Sequence, residues 1–150
     1  MNTDNTLPPT PAARGLRWAA LALAATTSAS FALAELGIPT DLPGPASMLR
    51  SYEAVAGAAG RADRGQAFFT RRHGGEWSCS SCHGQVPSAT GRHAVTGKPI
   101  NALAPAFNPK AFTDPRRTEK WFKRNCNDVV QRECTDAEKA DVLAWLITIR

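Results

Sequence analysis

The chain has 150 residues, 18 Lys+Arg against 13 Asp+Glu for a net charge of +5, and 43% hydrophobic content. This suits one domain, or one domain plus a short appendage, and excludes wholesale disorder, collagen-like repeats and multi-span membrane classes. The mildly basic balance fits an acidic protein partner or a membrane surface, but lacks the dense Lys/Arg blocks of a nucleic-acid binder. With only 4 Cys, 2 Met and 3 His, few metal-ligand assignments are possible.

The N-terminus reads as a secretory signal over residues 1–34. Arg14 and Arg17 stand against the single acid Asp4, the apolar run WAALALAA follows from Trp18, and Ala32-Leu33-Ala34 offers a cleavage site before Glu35. An uncleaved membrane anchor is the competing reading. The stretch 18–34 is short for a spanning helix and is diluted by Thr26, Thr27, Ser28 and Ser30. Gly15-Leu16 separates the two arginines, so a twin-arginine signal is not indicated. Cleavage leaves residues 35–150 with a net charge of +4 and all four cysteines. An exported chain meets an oxidising compartment, where cysteines are normally bridged or bound.

The Pro/Gly-rich stretch 38–46 reads as an exposed lead-in. Ser47 is predicted to cap a first helix with Leu49, Tyr52, Val55 and Ala56 on its apolar face, ending at Ala59-Gly60. A second helix is predicted over 62–71, with Ala67, Phe68 and Phe69 apolar and Gly65 allowing close approach, the two packing as one bent unit. Residues 74–114 show little periodicity and many Gly and Pro. A loop of that length belongs in a compact domain only if it wraps or does something. Asp114-Pro115 then starts a helix with proline at its first position, carrying Trp121 and Phe122 and predicted to stop near Asn125. Thr135-Asp136-Ala137-Glu138 is a capping box. It opens a last helix to about Ile149, with Ala140, Leu143, Trp145, Leu146 and Ile147 apolar. Without internal repeats or strand alternation, the fold class is all-α around a large central loop.

Within that loop, Cys79-Ser80-Ser81-Cys82-His83 matches C-x-x-C-H, the attachment sequence for haem c. Two thiols three positions apart reach the vinyl groups on one porphyrin edge, and the adjacent His83 can give its imidazole to iron. A zinc site would need Cys126 and Cys134 as further ligands, but their separation misses the C-x-x-C knuckle. That alternative makes the chain a zinc-stapled secreted binding module. A thioredoxin-like dithiol would need a βαβ context that is absent.

The sixth coordination position separates electron carriage from gas binding. Met1 leaves with the signal and Met48 precedes the motif, so no methionine follows His83. His93, the asparagines, the lysines and an open site remain as alternatives. His73, beside Arg71 and Arg72, reads as a surface residue. Cys126 and Cys134 most simply form a disulfide, which would fix a loop carrying Asn125 and Asn127.

The segments SYEAVAGA, CSSCHG, TGKPI with LAP following, FTD, EKWFKRNCN and REC with TDAEKADVLAWL resemble the sphaeroides haem protein family, over about residues 48–146. These are high-spin class I cytochromes c. The resemblance implies a class I cytochrome c fold over 35–150, its helices packed around one covalently bound haem c and its long central loop wrapping the haem. Cys79 and Cys82 would form the thioethers, and His83 would be the proximal iron ligand. The resemblance adds Asn125 as the distal ligand and a Cys126–Cys134 disulfide. It also implies periplasmic location and electrons from a dihaem cytochrome c linked to a membrane cytochrome b. The asparagine is expected to leave on reduction, opening the iron to O2 or NO. Oxygen reduction and nitric oxide oxidation are both chemically possible there, and no acid/base residue selects between them. The competing reading is a simple electron carrier with a permanent sixth ligand such as His93.

Overall fold

The computed structural model describes residues 43–150; the signal over 1–34 and the start of the lead-in lie outside the described residues. The elements are α1 (Pro45–Ala56), α2 (Ala62–Thr70), α3 (Cys79–His83), β1 (Gly91–Arg92), β2 (Pro99–Ile100), α4 (Pro115–Val130) and α5 (Asp136–Thr148). Among the described residues no helix is long and apolar enough to cross a membrane.

α5 is the central element. Its capping box forms as expected: the Glu138 N–H donates to Thr135 Oγ1 at 3.2 Å, and the Thr135 N–H donates to Glu138 Oε2 at 2.9 Å. Ala140, Asp141, Val142, Leu143, Trp145 and Leu146 are all buried, because α1 and α2 both pack on this helix. A helix buried on several sides carries apolar residues around most of its circumference.

Gly65 sets how closely α2 approaches it. A Cβ at Gly65 would lie 1.9 Å from the Asp141 carbonyl oxygen, so only glycine fits. The Asp141 carboxylate fastens the same junction by accepting from the Arg61 N–H at 2.7 Å and from Arg64 Nη2 at 2.8 Å. The first two helices therefore find their main partner in α5 rather than forming one bent unit.

Their faces also differ from expectation. α2 buries Gly65, Phe68 and Phe69, which leaves Ala67 exposed on the opposite side. α1 starts earlier than Ser47, with Gly44 as N-cap and Pro45 at its first position. Ser47 Oγ instead accepts the Gly44 N–H and donates to the Gly44 carbonyl, both at 2.9 Å. The helix turns off at Gly57, where φ is 66°, rather than at Ala59-Gly60. Met48 and Tyr52 pack on Ala140 and Leu143, while Val55 is 73% exposed because the last turn runs past them.

α4 runs to Val130, well beyond the predicted stop at Asn125. Thr118, Phe122, Cys126 and Val130 recur every four residues and face inward. That stripe carries the helix through its polar Asn-Cys-Asn-Asp run, and Gln131 ends it at φ 62°. Asp114 caps the start by accepting the Arg117 N–H at 3.0 Å. Cys126 and Cys134 are joined by a disulfide. It ties the last turn of α4 to the connection before α5, so Asn125 and Asn127 stand on a helix rather than on a loop. A polar cluster links the same region to α1: the Tyr52 hydroxyl donates to Glu119, whose other oxygen is 2.9 Å from Lys139 Nζ. Burial and the adjacent Glu119 push the Tyr52 pKa well above its ordinary value.

The central stretch holds more local structure than its composition suggests. β1 and β2 pair antiparallel in the register Gly91↔Ile100 and Arg92↔Pro99. Further on, the Pro87 carbonyl accepts from the Leu103 and Ala104 N–H groups at 3.0 Å each.

Candidate functional site

α3 is the single turn CSSCH. Ser78 caps it: its N–H donates to Ser81 Oγ at 3.0 Å, and its hydroxyl lies 2.8 Å from the Ser80 hydroxyl. Gly84 ends the turn at φ 81°, a left-sided conformation that glycine adopts freely. The turn places the Cys79 and Cys82 thiols, both unbridged, on one short helix with His83 at its end.

Each of the three is held from behind. Cys79 packs against the main core cluster of Phe68, Phe69, Cys126, Val130, Cys134, Val142, Trp145 and Leu146, and burial pushes its thiol up to about 11. Cys82 Sγ accepts the Ala94 N–H at 3.3 Å. The β1–β2 hairpin presses on the motif so closely that a Cβ on Gly91 would lie 2.3 Å from the Cys82 carbonyl oxygen. The His83 ring lies 6.0 Å from Phe69, which in turn lies 5.0 Å from Trp145. Burial lowers the His83 pKa and so favours the neutral imidazole, the form that ligates metals.

This donor set fits haem c. Two unpaired thiols three positions apart and a neutral imidazole stand on one turn, backed by apolar side chains and a glycine seat. It does not fit four-ligand zinc, because Cys126 and Cys134 are consumed in their own bond. Among the described residues no group of three or more His, Cys, Asp or Glu could hold a metal ion.

The candidates for the opposite side are distributed differently. Met48 is buried among Tyr52, Ala140 and Leu143 on α1 and α5. His93 Nδ1 accepts the Val95 and Thr96 N–H groups at 3.3 and 3.2 Å, capping its own turn. His73 Nε2 pairs with the Phe68 carbonyl at 2.8 Å, and its ring lies against Phe68 at 4.3 Å. Asn127 is also committed, donating its amide to the Lys123 carbonyl at 2.8 Å. Asn125, exposed on α4 immediately before Cys126, has a carboxamide with no hydrogen-bond partner among the described residues.

The structure therefore brings Cys79, Cys82 and His83 together and sets the Cys126–Cys134 disulfide into the cluster behind Cys79. Among the described residues neither Asn125 nor His93 forms a hydrogen bond or ring contact with His83. Sequence reasoning missed the seat at Gly91, the contact from Ala94 to the Cys82 sulfur and the backing ring of Phe69. Only Ser78 had a local signal, a cap preceding the motif.

Comparison with known proteins gives a consistent set of relatives. A family described as a domain of unknown function (DUF1924) matches residues 55–146. Cytochrome c-type protein SHP of Cereibacter sphaeroides is 49% identical over 106 residues, which cover 68% of this chain and 81% of that protein. The structure of oxidized SHP, an oxygen binding cytochrome c, superposes with a TM-score of 0.66 at 46% identity, covering 71% of this chain and 97% of the other. The solution structure of Methylophilus methylotrophus cytochrome c'', concerned with haem-ligand detachment, has a TM-score of 0.62 at 35% identity, covering 69% and 92%.

Proposed function

The chain belongs to the cytochrome c family of SHP and cytochrome c'', with haem c held covalently, and from that premise we propose a periplasmic, monohaem, high-spin cytochrome that binds a diatomic ligand. Cys79 and Cys82 form the two thioethers and His83 is the proximal iron ligand. Asn125 is a labile distal ligand that leaves on reduction, giving O2 or NO access. When bound, the haem supplies an iron that exchanges one electron and offers a sixth position.

The observation that carries this reading is the state of the Asn125 carboxamide. Three of the other side chains weighed for that position are held elsewhere: Met48 in the core, Asn127 on the Lys123 carbonyl, and His93 on its own turn. The Asn125 carboxamide has no such bond among the described residues, and the disulfide one residue on fixes its helix turn. A carboxamide oxygen is a weak neutral donor, so backbone anchoring with little side-chain commitment suits a ligand that binds one oxidation state and releases the other.

Electrons would come from a dihaem cytochrome c linked to a membrane cytochrome b. The exposed cations Arg116, Arg117, Lys120 and Arg124 on α4 support docking to an acidic partner, and the signal read over 1–34 supports the periplasm. Absorption spectra test the assignment. A high-spin ferric spectrum, a shift on adding CO to the reduced protein, and an altered ferric spectrum in Asn125→Ala with haem still covalently attached are expected. Low-spin spectra indifferent to CO would overturn it.

A further inference from the structure

α4 carries two stripes of different character. Thr118, Phe122, Cys126 and Val130 face the core, and Asn125 is turned by roughly 100° from Cys126, given 3.6 residues per turn. The side chains that share the Asn125 face are those three and four positions away: Trp121, Phe122, Asp128 and Val129.

Three of these are already engaged. The Phe122 ring lies 5.8 Å from Tyr52 and 6.3 Å from Phe112, bridging both core clusters. Val129 packs against the main cluster. Asp128 approaches Arg124 at 3.9 Å. Trp121 is different: it is 46% exposed, and its ring contact is the Arg124 guanidinium at 5.6 Å. A large apolar ring beside the distal ligand position is thus left outside the core.

We propose that Trp121 is a positioning residue of the distal site, its indole lying against the haem face beside Asn125 and limiting entry of a diatomic ligand. The inference rests on Asn125 being the distal ligand. Side chains on a helix lean toward its N-terminus, so the Asn125 carboxamide is directed back over the turn that carries Trp121. The two Cβ atoms of such a pair are roughly 5–6 Å apart, and a porphyrin extends further than that from its iron. A haem capped by Asn125 therefore meets the indole, and flat aromatic surfaces pack well when offset. The ring then restricts both the space into which the detached carboxamide swings and the path to the iron.

The holoprotein tests this in its reduced, CO-bound, diamagnetic form. Proton NMR should show the Trp121 indole resonances, identified by their loss in Trp121→Phe, displaced by the ring current of the haem. CO association should be several-fold faster in Trp121→Ala and near the parent rate in Trp121→Phe. An unchanged ferric spectrum in Asn125→Ala would overturn the ligand assignment and this inference with it. If that spectrum changes while the indole resonances are unshifted and CO association in Trp121→Ala matches the parent, the inference alone is overturned.

Discussion

The turn that holds His83 and the helix end that holds Asn125 are built on opposite principles. Around Cys79–His83 the turn is held from several sides: Ser78 caps it, the core backs Cys79, Ala94 donates to Cys82, and the hairpin backbone occupies the space at Gly91. At Asn125 the backbone is fixed by the helix and the disulfide, while the side chain has no partner among the described residues. On the proposed assignment, one side suits permanent attachment and the other release.

The largest expected effect lies on the permanent side. In Gly91→Ala the added methyl meets backbone at 2.3 Å rather than a flexible side chain, so the hairpin must lift from the motif. Overpacking of this kind costs on the order of 3 kcal/mol, which chemical denaturation of the holoprotein would register. A variant as stable as the parent would show that the hairpin is not the seat of the motif.

The next effect lies on the anchored side. Replacing both Cys126 and Cys134 with Ala opens a link spanning a sequence separation of 8. The chain-entropy treatment gives about 2.5 kcal/mol for a loop of that size. The last turn of α4 should loosen as well. The comparison predicts that covalent haem survives while the ferric spectrum broadens or changes. Loss of stability with an unaltered spectrum would separate the disulfide from ligand placement.

How much of this was legible in the sequence follows the same division. The C-x-x-C-H turn and the Thr135–Glu138 capping box depend on neighbours a few positions away, and both could be read directly. Gly65 was also readable as a close approach, though not its partner Asp141. The extent of α4 was not, because Asn125, Asn127 and Asp128 argue locally for a stop. Only the inward packing of Cys126 and Val130 carries the helix onward. Val55 shows the same limit, since its periodicity is apolar but the covering residues on α5 end before it. The preference for Asn125 over Asn127 came from family resemblance; the structure adds a physical reason in the bond from Asn127 to Lys123.

A smaller effect concerns pH. Glu138 bonds both Arg132 and the Thr135 N–H across the connection that contains Cys134, and the Arg132 hydrogen bond leads in holding its pKa below the ordinary value. A depressed carboxyl pKa stabilises the fold above its unfolded value of about 4.3 and loses that contribution as pH falls through the folded one. Arg132 is half exposed, so the gain is small. Glu138→Gln keeps an acceptor at the capping position and should flatten the fall in stability below about pH 4.3. Equal acid profiles for variant and parent would show that this pair contributes nothing to the anchor.

The smallest effect on stability should accompany the sharpest effect on the iron. Asn125 and Asn127 are exposed residues on the same two turns of α4, and alanine at either is expected to move stability by within about 0.5 kcal/mol. Asn127→Ala removes only a bond to the carbonyl of its own helix, so its ferric spectrum and CO binding should match the parent. Asn125→Ala removes no bond within the described residues, yet its ferric spectrum should change if the proposed distal donor is gone. If the two variants behave alike, the uncommitted side chain is not what distinguishes the releasing side from the permanent one. If only Asn125→Ala alters the spectrum, lability comes from a side chain held to the protein by its backbone alone.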